Sequence, residues 1–388
     1  MGAADMTREV SFRKIVGLNN RLPITRMTVT LPDRSQGVHL LVADNIDVTD
    51  SGLIRRRAGF SVALGGAWHS VWGDAHGAYG VRNGDLVRIE SGAASSTVVV
   101  ASVADAPVSF SRLPDGFVYW SNGSQIGRLD GTVATPAVSP APNPVPVVTA
   151  TTGGLPAGRY QVCFTAFGTN GESRSTEPVQ IELPENGGLS FSGLTAETLI
   201  YATGPDGEVF NEIPHGDYVS LDNFGASCQT FMLGDMPPGQ ALAHYRGSLL
   251  VARGKFLYIS EPYRYGLYNP RRGFIPLPAE ISIVQPCEDG VYVCADKTYW
   301  IPGDPLNTAP IVVLPYGALP GSTAFDIETQ TAYWQGPNGV VIGRPGGNVT
   351  VPQDAALIFD PAESGSTLLR LQRGEKHLIT ARLGVAST

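Results

Sequence analysis

A short phrase of residues recurs along the chain at intervals of roughly forty, and a recurring phrase implies a recurring fold unit. Each copy is an apolar strand, a polar turn with Gly, Asn or Asp, and a second apolar strand. The copies run from Gly77 through Asn83 to Ile89, from Gly116 through Gly123 to Leu129, and from Gly247 through Gly254 to Ile259. Two more run from Gly290 through Asp296 to Ile301 and from Thr331 through Asn338 to Ile342. One hairpin per forty residues or so is the signature of a propeller blade. The period therefore predicts an all-β chain, a β-propeller of five or six blades.

Composition agrees where it bears on that expectation. Of 388 residues 43% are hydrophobic and 16% charged, and 46 Gly with 30 Pro suit many short strands joined by tight turns. No apolar helical period survives beyond a turn or two, and the longest weak helix candidate lies near Pro352 to Leu357. No run approaches the roughly 20 apolar residues needed to cross a bilayer, so no membrane anchor is expected. Met1 to Val16 carries Asp5, Arg8, Glu9, Arg13 and Lys14 without an apolar signal core, which predicts a chain used without export. Four cysteines, Cys163, Cys228, Cys287 and Cys294, are too few to staple a chain of this size and are expected reduced; Cys287 and Cys294 stand near enough in sequence to pair.

The phrase also sets the organisation. Residues 1–60 read as an N-terminal arm that ends in a hairpin turning at Asp50-Ser51-Gly52, and 61–140 as the first part of the propeller. A Pro-rich linker from Pro136 to Pro146 follows, and the period then breaks for about a hundred residues. Alternating runs at Gly158 to Phe167, Val179 to Leu183, Thr198 to Thr203 and Val209 to Ile213 predict an inserted β-sandwich over 144–238, similar to a fibronectin type III or immunoglobulin-like module. Residues 239–388 read as the second part of the propeller.

Candidate chemistry is sparse. With a net charge of −8 the chain lacks the clustered cations of a nucleic-acid groove, and an acidic wall repels a passing strand. Glycan-cleaving propellers need paired acids in a pocket, with arginines where the sugar is acidic. Here Asp74, Asp85, Asp115, Asp289 and Asp296 fall in blade turns, where Asp bonds locally, and no Ser-x-Asp-x-Gly-x-Thr-Trp boxes occur. The six histidines show no metal spacing, and Asp47 to Gly52 lacks the ligand pattern of a calcium loop. No catalytic residue, cofactor or metal site is expected. Two basic clusters, Arg55-Arg56-Arg57 and Arg271-Arg272, are either solvated turns or strips that meet a neighbouring subunit's carboxylates. The segment Tyr263 to Phe274 reads as a loop whose Tyr263, Arg264, Tyr265 and Tyr268 either contact a partner or pack on their own propeller.

Several stretches carry a family likeness. Gly17-Leu18-Asn19-Asn20-Arg21-Leu22-Pro23, Ala43 to Val48 and Gly52 to Phe60 resemble the opening of tail nozzle, or packaged-DNA stabilisation, proteins of short-tailed bacteriophages. His244 to Ala252 and Leu257 to Pro262 are similar to the blade after the inserted sandwich in such proteins. The resemblance implies a virion structural protein: a homo-oligomeric ring, usually a hexamer, at the distal end of a short tail, assembled in the host cytoplasm. Such a ring adjoins a tail adaptor or portal-proximal proteins, offers its outside to fibres or spikes, and closes the channel around double-stranded DNA. The rival readings are a propeller that binds or cleaves a host-surface glycan and a cellular scaffold.

Overall fold

The computed structural model describes residues 14–384 apart from 50, 58, 60, 94, 104, 223 and 373. The charged stretch Met1 to Arg13, the turn residue Asp50, and Ala58 and Phe60 thus lie outside the described residues. The fold is all-β, a β-propeller interrupted by a β-sandwich, and among the described residues there is no α-helix. Pro352 to Leu357, the weak helix candidate, is a set of turns with Leu357 N–H bonded to Gln353 O at 2.9 Å. The chain divides into two compact units, 64–315 and a second combining 1–63 with 316–388. That grouping differs from a separate 1–60 arm and a continuous 239–388 part.

In the larger unit each repeated phrase forms two inner strands of an antiparallel blade, four-stranded in the first, second and fourth and extended in the third by Arg264–Tyr268 and Gly234–Asp235. The first blade is Trp68–Asp74, Gly77–Arg82, Asp85–Ile89 and Ser96–Val100. The second is Ser109–Arg112, Val118–Ser121, Ile126–Asp130 and Val133–Pro136. The third has Ala241–Tyr245, Ser248–Arg253, Phe256–Glu261 and Phe274–Pro276, and the fourth Ile283–Cys287, Gly290–Cys294, Thr298–Pro302 and Ile311–Leu314.

The middle strands read as unbroken apolar runs because both of their faces are covered. Successive side chains of a strand point to opposite faces. Val118 and Trp120 therefore join Val81, Leu86 and Phe110 between the first two blades, while Tyr119 points the other way, toward Leu249 and Val251 of the third. Leu250 and Ala252 of that third-blade strand pack instead against Val291, Val293 and Ile301 of the fourth. Each blade is thus glued to its neighbour by its own alternation.

In sequence the sandwich comes between the second and third blades. Val147–Leu155 pairs with Gly187–Ser192. The opposing sheet centres on Gly158–Gly168, flanked by Val179–Leu183, Thr198–Ala202 and Asn211–Ile213. Tyr160, Phe164, Leu189 and Ile200 fill the space between them. Arg128 of the second blade, almost fully buried, docks the insert: its guanidinium lies 4.0 Å over the Phe117 ring and donates to Thr169 O at 2.7 Å. Asn170 Nδ2 donates to Pro136 O at 3.0 Å beside it.

After the insert the chain returns to the second blade at a fixed point. Gly239 N–H donates to Ser121 Oγ at 2.9 Å, Gly123 N–H donates to Gly239 O at 3.0 Å, and Leu242 N–H donates to Ser109 Oγ at 2.9 Å. A Cβ on Gly239 would stand 2.1 Å from Ala252 O, so only glycine fits this approach.

The smaller unit contains a fifth four-stranded sheet of blade type, Ala324–Asp326, Thr331–Gly336, Gly339–Arg344 and Asn348–Thr350, with Trp334 and Val341 buried. Its N-terminal part forms a three-stranded sheet in which Gln36–Leu40 lies between Lys14–Leu18 and Thr28–Thr30, and a hairpin of Ile46–Val48 with Ile54–Arg56. Asn20 ties this part to the C-terminal part: its backbone N–H donates to Ala356 O at 3.0 Å, and its side chain both donates to Ile358 O at 2.9 Å and accepts from Ile358 N–H at 2.7 Å. A long hairpin, Ala362–Gln372 with Glu375–Gly384, is held to the fifth sheet by Lys376, which lies 2.5 Å from the Asp326 carboxylate and 2.9 Å from Glu328.

Substituting Gly239→Ala is expected to destabilise the larger unit by about 2–3 kcal/mol, because the Ala252 carbonyl must be pushed aside. Gly77→Ala, where a Cβ meets nothing within 4 Å, should stay within about 0.5 kcal/mol of the parent. Denaturant unfolding of both checks this, and equal stability of the two variants contradicts the account.

Candidate functional site

The basic clusters lie on turns and hairpin edges of different units. Ile54, Arg55 and Arg56 are exposed along one strand of the smaller unit's hairpin. Arg57 closes the hairpin by donating from Nε to Asp47 Oδ1 at 3.0 Å, while Arg55 and Arg56 enter no ion pair among the described residues. In the larger unit Arg271 and Arg272 sit on a turn built by Asn269, whose Oδ1 accepts from Arg271 N–H at 3.0 Å and whose carbonyl accepts from Arg272 N–H at 3.3 Å and Gly273 N–H at 2.7 Å. Both residues are exposed on that turn.

The segment expected as a partner loop differs from a loop. Arg264–Tyr268 is a strand, paired with Gly234–Asp235 and with the end of Phe256–Glu261. Its alternation sends Tyr265 and Leu267 inward. Tyr265 packs edge-on against Tyr119 at 5.8 Å and against His244 at 6.3 Å, in the core between second and third blades. Burial raises its phenol pKa above the ordinary value. Tyr268 is half-buried and perpendicular to Tyr258 at 5.2 Å. Of the four expected contact residues, Tyr263 and Arg264 remain on the surface.

Tyr263 instead closes a double turn at one end of the third blade. Its N–H donates to Gly247 O at 2.8 Å, and its ring lies over Gly247, where a Cβ would meet it at 3.1 Å. Gly247 N–H in turn donates to His244 Nε2 at 3.2 Å. Burial lowers the His244 pKa from its ordinary 6.5, against an opposing pull from Asp115, so the imidazole accepts this bond as the neutral ring.

Beside this double turn a cleft of about 460 Å³ opens between the third blade and the turn of the fourth blade at 304–307. Arg246, Arg272, Glu261 and Asp304 line it, with Tyr245 in its wall. Of these, only Arg272 stood out in the sequence. Arg246 carried a legible signal: it occupies the first position of the two-residue hairpin turn Arg246-Gly247 with φ of 46°, a left-handed conformation that usually takes Asn, Asp or Gly.

None of the four cysteines forms a disulfide. Cys287 and Cys294 stand at opposite ends of one strand pair, opposite Gly290 and Ile283 respectively. The two that meet are Cys163 and Cys228, packed with Tyr201 and Phe210 on the face of the Gly158–Gly168 sheet opposite Val162 and Phe164. The hydrogen bond to Cys228, reinforced by burial, holds the Cys163 thiol well above its ordinary range.

No protein-family model matches this chain, and no curated protein matches it. Solved structures give distant likenesses only. The extracellular domain of a hybrid two-component system from B. thetaiotaomicron is 14% identical over 70% of this chain and 30% of that one, with a TM-score of 0.29. BBS1N in complex with ARL6DN is 10% identical over 83% and 94% of the two chains (TM-score 0.32), and Citrobacter koseri AztD is 11% identical over 88% and 90% (TM-score 0.25). This chain therefore spans under a third of the first of these. Likenesses at such scores carry no inference about function, and the fold rests on the strand pairing itself.

The neutral state of His244 has a consequence in solution. Folding stability tied to this ring is fully present above its unfolded pKa near 6.5 and declines as pH falls through that value toward the lower folded one. An NMR titration should give His244 an apparent pKa below 6.5; a value above it contradicts the neutral acceptor.

Proposed function

We propose that this chain is a virion structural protein, a subunit of the nozzle ring at the distal end of a short phage tail, which lines and closes the DNA channel and retains the packaged genome until ejection. In this reading the chain carries out no catalytic step and needs no cofactor. Its partners are further copies of itself in a ring, most simply six, the tail adaptor or portal-proximal proteins, and fibres or spikes. The DNA passes without sequence-specific contact, which suits a net charge of −8.

One observation carries the reading. The N-terminal part of the smaller unit places large apolar side chains in water: Ile24 is 78% exposed, Val42 68%, Leu53 62% and Val62 83%. Leu368, Leu371 and Leu383 are exposed on the long C-terminal hairpin of the same unit. Covering one such side chain contributes roughly 1.5–3 kcal/mol. An exposed ion pair contributes about 0–1 kcal/mol. In an assembly of copies the apolar residues therefore supply affinity, while Arg55 and Arg56 beside Leu53 orient the neighbour through its carboxylates. The resemblance of Gly17 to Pro23 and of the hairpin segment to tail nozzle proteins falls on this same part of the chain.

Sedimentation velocity on variants tests the division of labour. Leu53→Asp combined with Val62→Asp should convert the assembled protein to single chains without changing the circular dichroism spectrum. Arg55→Glu with Arg56→Glu should weaken assembly less, by about tenfold in dissociation constant, and make it less sensitive to salt. Variants that assemble as the parent does overturn the reading.

A further inference from the structure

We propose that the cleft beside the third blade binds a small hydroxylated oxyanion, a carboxylate or phosphate monoester carried on a polyol or sugar frame. The proposal is independent of the ring and stands on the side chains that line the cleft. Its volume of about 460 Å³ lies within the range of small-ligand sites.

Two arginines line this one space, and neither is within ion-pair distance of a carboxylate among the described residues. The ion pairs among the described residues use Arg57, Arg112, Arg174 and Lys376, leaving Arg246 and Arg272 unpaired. Their backbone positions are fixed by turns. Arg246 stands on its left-handed turn position with the guanidinium 5.2 Å from the centre of the Tyr245 ring, and Arg272 stands on the Asn269 turn. The two-residue hairpin turn needs positive φ at both Arg246 and Gly247, and so fixes where the Arg246 side chain starts. Guanidinium groups present planar forks of N–H donors that match the oxygens of carboxylate and phosphate.

The carboxylates at the cleft set what else the ligand must carry. Asp304 is committed to its own turn, accepting from Leu306 N–H at 3.0 Å and from Asn307 Nδ2 at 2.5 Å. Glu261 has no hydrogen bond to its carboxylate and no ion pair among the described residues, so it stays open as an acceptor. An ionised carboxylate beside two arginines disfavours a polyanion and accepts from hydroxyl groups. Tyr245 adds a donor: the residue is 5% exposed, and its hydroxyl has no hydrogen-bond partner among the described residues. A buried hydroxyl left without a partner is unfavourable, and a shift of the cleft wall that lets a ligand oxygen reach it restores the bond. The match is a single oxyanion with hydroxyls next to it.

Isothermal titration calorimetry of the full chain at low salt, with glucuronate, glucose 6-phosphate and glucose as separate titrants, tests the proposal. At least one acid should bind about tenfold or more tightly than glucose, the gain expected when a charge-assisted bond is added. Preference for glucuronate identifies a carboxylate site, and preference for glucose 6-phosphate a phosphate site. Arg246→Ala and Arg272→Ala should each weaken the preferred acid about tenfold, and Tyr245→Phe, which keeps the ring, about fivefold. Arg264→Ala, outside the cleft, should leave binding unchanged. Absence of binding by both acids, binding no tighter than glucose, or affinity unchanged in folded Arg272→Ala protein overturns the proposal.

Discussion

A four-stranded sheet with two apolar faces is unstable until both are covered, and from the first to the fourth blade of the larger unit neighbouring blades cover each other. The constraint is hardest to meet between the second and third blades, where the sandwich separates strands that must touch. Tyr119 of the second blade and Leu249 and Val251 of the third share one core across that interruption. The return of the chain is therefore pinned by polar bonds as well as packing. Ser109 and Ser121 use their hydroxyls to accept backbone N–H groups of Leu242 and Gly239. Buried N–H groups without such acceptors would each be costly, so two small serines fix the geometry that the larger apolar side chains then fill.

The same constraint explains why the insert is tolerated. The sandwich has its own core around Tyr160, Phe164 and Leu189 and draws little on the blades. It is attached to the last two strands of the second blade, through Arg128 on Ile126–Asp130 and through Asn170 bonded to Pro136, and both bonds end on backbone carbonyls. A guanidinium seated over Phe117 and bonded to a carbonyl is oriented on two sides, which gives the insert a direction as well as a tether.

How much of this was legible depends on the range of the interaction. The blade hairpins were readable because their signal is local: alternation in two short runs and a turn with Gly, Asn or Asp between them, as at Arg82-Asn83-Gly84-Asp85. The sandwich hairpin of Thr198–Ala202 with Asn211–Ile213 was readable for the same reason. Tyr265 was not, since a tyrosine between arginines and glycine looks like surface until Tyr119, distant in sequence, is placed against it. Asn20 likewise gives no local hint that its amide will saturate the backbone of Ile358. Cys287 and Cys294 are near in sequence but kept apart by their strand pair, while Cys163 meets Cys228 only through the fold of the sandwich. The cleft falls between these cases: Arg246 broke a turn rule in plain view, but Glu261 and Tyr245 become neighbours only when the blade is formed.

The functional reading joins a self-sufficient set of blades to a smaller unit whose exposed side chains call for neighbours. Its central claim is assembly into a ring, and the most direct measurement is negative-stain electron microscopy of the purified full-length protein, alone and mixed with the adjoining tail adaptor. The account predicts closed rings with a central hole in at least one of the two samples. Particles of single-chain size in both would contradict it.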